Sequence, residues 1–548
     1  MTEELMIADK PIQKVSIWTG VLLGAFSSFA LIGLLAFGDS AFGYPFVPFD
    51  IFDWMSRTLP GGLIAFVIRT MVMVIEFMQG LFPIGDTSTV AKLAEQTIAI
   101  VQLIGGGAVF GAILAWIANT KPRSLVFAGI IGGLVLLTIT LAIEAALGSG
   151  GGAAWLAILF VAWGWGLARL IERVSEAPDQ RTAEQLSRRQ FLTVSGAGLT
   201  AAALGAWGFS RLFGEQAPPS ASDGGAQPVS PDDPFGASLT SGPAASPSPD
   251  ELAARAASVQ GTRPELTANE DFYRIDINTR APEVDGEAWR LHVNGLVERP
   301  LDLTLDEIRA MPSQTQILTM QCISNNIGGD LTSSSRWTGV RFKDLLDEAG
   351  IQPSAAGAHI TSTDGFYEFV VMDDILDERT LLVYDMNGVP LPPEHGFPLR
   401  IYIPDRYGMK QPKWIENIEL IDGERRGYWV ERGWSKEARP QTVSVVDTVA
   451  VNPDTGMAIT GGIAWAGGRG ISKVEVQVDS NGWNEAELIA PPLSPLNWML
   501  WRYEWPHEAE RHTVEVRAYD ANGLIQDPER RSTRPDGATG IHSVTVNL

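Results

Sequence analysis

The sequence predicts a multi-helix transmembrane domain followed by a mixed α+β domain and a C-terminal antiparallel β-sandwich. Three observations carry that prediction. Residues 1–212 are apolar and poor in charge, with several runs near the ~20 residues a bilayer crossing needs. Residues 213–548 are polar, acidic and rich in Trp and Pro, and helix-like pieces alternate with strand-like ones over 269–436. From residue 440 onward short stretches alternate apolar and polar residues between turn signals. The 548-residue chain has a formal net charge of −23. That excludes a nucleic-acid binder, which would present a basic face, and suits a basic protein partner such as a small electron carrier.

The apolar runs are Val15–Phe37, Leu63–Ile84, Ile98–Ala118, Leu125–Leu147 and Ala153–Ile171, making residues 1–186 a membrane domain of about five helices. Small residues inside them, Gly105, Gly106, Gly107 and Gly111, permit close helix contact in lipid. Glu76 and Glu144 lie within apolar runs, where a carboxylate is either functional or a polar contact between helices. No histidine precedes His292, so this domain cannot hold a bis-histidine haem. Lys121, Arg123, Arg169 and Arg173 mark cytoplasmic ends. Counting back places the N-terminus outside, against Lys10 and Lys14, and an interfacial or re-entrant stretch over Phe42–Trp54 would reconcile the two.

Residues 187–212 open with Ser187-Arg188-Arg189-Gln190-Phe191-Leu192 and continue into a weakly apolar run. They read as a twin-arginine-like export motif or as a cytoplasmic arginine pair before a further span. Both readings put the C-terminal half of the chain outside the cytoplasm. Residues 213–264 are rich in Pro, Ser, Gly and Ala, a flexible linker with too little apolar surface to fold.

In the next segment, 265–437, Arg290–Gly295 reads as a strand into a turn and Thr304–Met311 as a short helix with a threonine cap. Phe342–Ala349 reads as an amphipathic helix and Leu399–Ile403 as a buried strand. The chain has one cysteine, Cys322, in the run Thr319–Asp330. One cysteine supplies no intrachain disulfide, Cys₄ zinc site or iron–sulfur cluster. It is either an inert buried thiol or one thiolate ligand to a metal that something else largely holds.

Four motifs extend that second reading: Cys322-Ile-Ser-Asn-Asn-Ile-Gly-Gly-Asp with Arg336-Trp337-Thr338-Gly339-Val340, Tyr384-Asp385-Met386-Asn387-Gly388, His395-Gly396-Phe397-Pro398-Leu399-Arg400, and Lys413-Trp414. In this order and spacing they resemble the sulfite oxidase family of molybdopterin enzymes over roughly 265–548. Tyr428-Trp429-Val430 and Arg432-Gly433-Trp434 resemble its bacterial membrane-attached members. The resemblance implies a molybdenum–molybdopterin cofactor, with Cys322 as the metal's thiolate ligand and no haem or iron–sulfur cluster. It further implies that His395, Arg400 and Lys413 hold the pterin and its phosphate, the kind of anion a guanidinium and an ammonium favour. Phe272, Tyr273, Arg274, Thr363, Asp364, Gln411 and Pro412 match further cofactor contacts, and Tyr428 matches a catalytic tyrosine near the metal.

The match departs from sulfite oxidases where they carry substrate-binding arginines. Asn326 and Ile327 follow Cys322 here, and Arg274-Ile275-Asp276 replaces an Arg-Asn-His run. That weakens the case for a sulfite dianion, unless Arg336, Arg406 or Lys410 supplies the charge. Residues 438–548 alternate at Val474–Asp479, Thr513–Ala518 and Ser543–Val546, with turns at Asn481-Gly482 and Asn522-Gly523. They resemble the family's immunoglobulin-like dimerisation domain. The expected activity is two-electron oxygen-atom transfer on a small, sulfur-containing substrate on the extracytoplasmic side. The expected partners are membrane lipid, an external electron carrier (cytochrome or quinone) and a second copy of the chain.

Overall fold

The structure, a computed structural model, describes residues 14–59, 63, 87–121, 124–148, 150–175, 260–452, 455–489, 491–506 and 511–548. They belong to two compact units, each described by itself. The run Leu63–Ile84 with Glu76, the arginine motif at 187–192 and nearly all of the linker lie outside the described residues.

The first unit is helical. Among the described residues four helices are long and apolar enough to cross a membrane: α1 (Ile17–Phe42), α3 (Thr87–Thr120), α4 (Leu125–Leu147) and α5 (Ala153–Ser175). The aromatic stretch after α1 forms α2 (Val47–Thr58), whose 12 residues are too few to span the hydrocarbon. Burial on these helices is inverted relative to a water-soluble protein. Trp18, Phe26 and Phe127 face outward at 75%, 69% and 66% exposure, while Gly20, Gly24 and Ser28 are buried. Apolar lipid tails tolerate the large side chains, and the small residues let backbones meet.

Of the glycines singled out on α3, Gly107 and Gly111 make such contacts and Gly105 and Gly106 do not. A Cβ on Gly24 would lie 2.0 Å from Gly107 O, and one on Gly20 would lie 2.3 Å from Gly111 O. Gly129 of α4 meets Gly164 of α5 in the same way, at 2.4 Å. Polar groups add directional ties: Asn119 bonds the Val15 amide and carbonyl at 2.9 and 2.8 Å, and Trp163 Nε1 donates to Ser27 Oγ at 2.9 Å. Glu144 is buried on α4. Gly24→Leu is expected to force α1 off α3, a destabilisation of about 1–3 kcal/mol or more from overpacking. A lowered melting temperature in detergent would show it, and an unchanged one would remove these glycines from the packing argument.

The second unit begins with two sheets. One runs β2 (Leu301–Leu303), β1 (Leu291–Gly295), β10 (Ile415–Ile421), β5 (Gly357–Ser362) and β6 (Tyr367–Val371), in which β1 pairs parallel to β10 and the other pairs are antiparallel. The other runs β3 (Ser313–Gln321), β4 (Thr332–Arg341), β7 (Leu381–Met386) and β8 (Val389–Pro390), with β9 (Arg400–Tyr402) added to β7. The helix Leu305–Ala310 starts with a capping box between Thr304 and Glu307. The amphipathic helix Phe342–Ala349 buries Phe342, Leu345 and Leu346 in a core shared with Val293, Ile360, Ile401 and Ile418. Strands β3 (Ser313–Gln321) and β4 (Thr332–Arg341) pair over their full length, closing a loop around Cys322.

Two four-stranded antiparallel sheets follow: β11 (Val443–Val451), β12 (Ala458–Trp465), β16 (Met499–Trp505) and β15 (Glu487–Ile489), then β14 (Trp483–Glu485), β13 (Ile471–Val478), β17 (Arg511–Asp520) and β18 (His542–Asn547). Val446, Ala458 and Trp501 of the first pack on Val476, Val514 and Val516 of the second, which makes a β-sandwich. The Asn-Gly turns fall as expected, with Gly482 and Gly523 at φ of +96° and +80°.

Candidate active site

Cys322 follows directly on the last residue of β3 and is buried. Its amide donates to Leu331 O at 2.9 Å, and its carbonyl accepts from the Asn325 amide at 3.0 Å. The Asn325 side chain accepts from the Leu331 amide at 3.0 Å, which fixes the loop. Cys322 Sγ lies 3.0 Å from Ser324 Oγ. Burial pushes the thiol pKa up, and the Ser324 contact offsets part of that. A thiolate at this position therefore calls for a positive partner at the sulfur.

Tyr273 packs in one buried cluster with Cys322 and feels the charges of both the thiol and Arg400. Its hydroxyl is raised well above its ordinary pKa by burial, then by the charge of Cys322, with Arg400 opposing. Tyr273 and Phe272 stack at 5.4 Å, and Phe272 meets the His395 ring edge-on at 5.3 Å. Arg400, on β9, is buried with its guanidinium over the Trp337 ring at 5.0 Å. It donates to His395 O at 3.1 Å and contacts Met320 Sδ at 3.3 Å. Among the described residues it has no carboxylate partner, and its Nε has no hydrogen-bond acceptor. Burial lowers its pKa to about 10.

Lys413 is nearly as deep. Its ammonium donates to Glu394 O at 2.9 Å and to Asp276 at 3.2 Å, and burial lowers its pKa to about 8. Arg274 reaches the same Asp276 carboxylate at 2.9 Å. Arg274 and Lys413 thus share the Asp276 carboxylate, while among the described residues none serves Arg400. His395 Nε2 lies 2.9 Å from Asn269 O, so it carries the proton that the carbonyl accepts. Burial first and Lys413 second drive the His395 pKa down to about 3, leaving a neutral ring at pH 7.

That last shift has a pH signature. The folded value lies below the unfolded one, so the stability it reflects is full above about 6.5 and is lost as pH falls towards 3. His359 and His542 are lowered in the same direction by burial. His395→Gln is therefore expected to flatten part of the acid limb of the melting-temperature profile. An unchanged limb would show that His395 is not held neutral.

The remaining expected residues are distributed unevenly. Asp364 is buried and accepts from Asn278 Nδ2 at 2.9 Å. Thr363 bonds Trp414 O through its amide at 2.9 Å and its hydroxyl at 3.3 Å, next to Lys413. Gln411 spends its amide on the carbonyls of Ile403 and Arg406, at 3.3 and 3.0 Å, so it braces the loop, while its Oε1 has no partner among the described residues. Pro412 presents its carbonyl to the Ile401 amide at 3.1 Å. Tyr428 packs with Phe366, Tyr367 and Trp429, and the Arg432 guanidinium lies 3.5 Å from its ring centroid. None of these contacts joins it to the Arg400–Lys413 group. Asp276 and Asn278 were not singled out from sequence. Their one signal was position, within a few residues of Phe272–Arg274.

Two cations that could have served a substrate anion are committed elsewhere. Arg406 forms a bidentate pair with Asp374 at 2.9 and 2.7 Å. Lys410 donates to the fully buried Glu368 at 2.7 Å. Both line a cleft of about 470 Å³ that also carries Arg425 and Arg426.

The family model for the oxidoreductase molybdopterin binding domain matches residues 278–429. Mitochondrial sulfite oxidase of Rattus norvegicus is 27% identical over 313 residues, covering 48% of this chain and 57% of that protein. The uncharacterized oxidoreductase YuiH of Bacillus subtilis is 33% identical over 156 residues, covering 28% of this chain and 77% of that protein. The chain belongs to the sulfite oxidase family of molybdopterin-binding oxidoreductases. It spans little more than half the length of the rat sulfite oxidase. Among solved structures, the sulfane dehydrogenase SoxCD of Paracoccus pantotrophus aligns over 54% of this chain and 83% of that one, with a TM-score of 0.46 and 21% identity.

The residues present fit the family's cofactor. Arg274 and Lys413 share the Asp276 carboxylate, while among the described residues the buried Arg400 has no carboxylate partner and its Nε is an unused buried donor. A phosphate placed there would supply the missing negative charge and acceptors.

Proposed function

We propose that this chain is a membrane-anchored molybdenum–molybdopterin oxidoreductase. It performs two-electron oxygen-atom transfer on a small, sulfur-containing substrate on the extracytoplasmic side and exchanges electrons with an external cytochrome or quinone. The observation that carries the reading is the buried Arg400 guanidinium without a counter-charge, in the same neighbourhood as the lone thiol of Cys322. When bound, the cofactor supplies the redox metal and the site of oxygen exchange. Cys322 would provide its protein thiolate. Arg400, Lys413, Arg274 and His395 would hold the phosphate end, with Phe272 and Tyr273 packed beside them. Asp364 and Thr363 would line the pterin, and Tyr428 would offer a hydroxyl from the Phe366–Tyr367 side. The β-sandwich would serve as the dimerisation surface.

Reduction of an S- or N-oxide on the same centre is favoured by a specific observation. Arg406 and Lys410 are already neutralised, and Asn326 and Ile327 replace arginines beside the thiol. The side chains next to Cys322 are uncharged: Gln321, Ser324, Asn325 and Asn326 are neutral, and Ile323 clusters with Tyr407 and Met409, flanked by Ile327 and Trp434. Such surroundings suit a neutral, dipolar substrate better than a dianion. Reducing an S-oxide consumes two electrons and two protons and releases water.

The test is the molybdenum and pterin content of protein purified from its native membrane, followed by steady-state assays with sulfite and with sulfoxides. About one metal and one pterin per chain with turnover of either class supports the reading. Loaded protein inert towards both classes, or metal-free protein made where the pterin is available, would overturn it.

A further inference from the structure

The Cys322 loop is gripped on both sides by the C-terminal β-sandwich. On the approach, β3 is an edge strand, so one row of its backbone groups has no strand partner. The sandwich loop 494–498 fills that edge. The Thr319 amide, three residues before the cysteine, donates to Leu496 O at 3.1 Å. The Trp498 amide donates to Thr319 Oγ1 at 2.9 Å, and Ser494 Oγ donates to Ile317 O. Asn497 Oδ1 accepts from Thr319 Oγ1 at 3.1 Å and from Ser334 Oγ of β4. One buried amide oxygen therefore ties together the two strands that hold the loop. Leu496 adds an apolar contact, packing in one cluster with Cys322, Phe272 and Trp337.

On the exit, Gly328 lies at φ +80° against the ring of His542, the first residue of the last strand β18 (His542–Asn547). A Cβ at residue 328 would come within 2.2 Å of His542 Nε2. The ring is itself fixed, since its Nδ1 accepts from the Val446 amide at 3.0 Å. The two grips use different parts of the sandwich and reach the loop before and after the cysteine. An interface serving only to join two domains has no need to converge on one loop.

We infer that Asn497, Leu496 and His542 are positioning residues for Cys322, so that the β-sandwich is part of the machinery that presents the thiol to the metal. The meaning for catalysis rests on Cys322 being the metal ligand, but the grip itself does not. Cys322 is the only cysteine in the chain, so its exposure can be read directly. In the present arrangement it is 7% exposed.

The experiment labels the cofactor-free full chain in detergent with Ellman's reagent under native conditions. Asn497→Ala and Leu496→Ala are expected to raise the labelling rate at least about tenfold, the change that a loss of roughly 1.4 kcal/mol in loop closure gives. Asn497→Asp keeps the oxygen acceptor and gives up a side-chain nitrogen that has no partner among the described residues, so it is expected to label near the wild-type rate. Trp505→Leu weakens the sandwich core at the end of its strand remote from the 494–498 loop, opposite Ala458, and is expected to leave the rate unchanged. If Asn497→Ala fails to fold, Gly328→Ala tests the other side and is expected to accelerate labelling as well.

Wild-type labelling rates in the folded Asn497 or Gly328 variants would overturn the inference. So would equal acceleration by Trp505→Leu, which would assign the effect to general destabilisation. Because the chain carries no cofactor in this assay, its outcome is independent of whether the metal reading holds.

Discussion

Arg400→Met is expected to change the protein in opposite directions with and without its cofactor. In the cofactor-free chain the substitution removes a buried charge that has no carboxylate partner among the described residues and puts an apolar side chain of similar length over Trp337. Replacing buried charge with well-packed apolar volume is often stabilising, by about 1–4 kcal/mol. The melting temperature of that form should therefore rise. Pterin content should fall, because a phosphate loses charge-assisted bonds worth roughly 1.5–3 kcal/mol each, about a tenfold to hundredfold loss in affinity per bond. Thermal melts of protein made without the pterin, set beside pterin fluorescence of protein made with it, check both signs. A variant less stable in both forms would mean that Arg400 serves the fold and not a phosphate.

Cys322→Ser is expected to abolish turnover while the chain keeps its fold and its pterin. The anchors Arg400, Lys413 and His395 are untouched, and the side-chain volume changes little. What is lost is the soft sulfur donor. Replacing even an outer residue of a metal site costs about 10–100-fold, so removing a direct ligand should exceed about 100-fold in kcat. The visible charge-transfer absorption of a metal thiolate should disappear with it. Absorption and turnover that survive the substitution would return Cys322 to the status of an inert buried thiol.

Much of this architecture was legible in the sequence because local chemistry and tertiary structure agree there. The run Leu125–Leu147 has the bounds of its helix, and Phe342–Ala349 has an apolar face that matches its burial. The Thr304 cap was readable because a threonine followed by a glutamate at the third position satisfies amides locally. The site was legible where motif spacing carried it: His395, Arg400 and Lys413 do come together. Asp276 was not, because its importance lies in Lys413, distant in the chain, meeting the same carboxylate as its neighbour Arg274. Nor was the use of Arg406 and Lys410. Each looks like a free cation in sequence, and its partner sits over 30 residues away. The glycine contacts of α1 were half legible. Composition indicates that helices approach closely, but only the helix faces decide that Gly107 and Gly111 take part while Gly105 and Gly106 do not.

The buried Arg400 guanidinium, with no carboxylate partner among the described residues, bears on how much of the protein a cell holds. A ligand that binds only the native state stabilises it by RT ln(1 + [L]/Kd), about 4 kcal/mol when the ligand is a thousandfold above its Kd. A chain that buries surplus positive charge until its anion arrives depends on that contribution more than most. Differences of 1–2 kcal/mol already change cellular abundance several-fold through proteases that act on unfolded molecules. A shortage of pterin should therefore appear first as missing protein, with little inactive enzyme left to accumulate in the membrane.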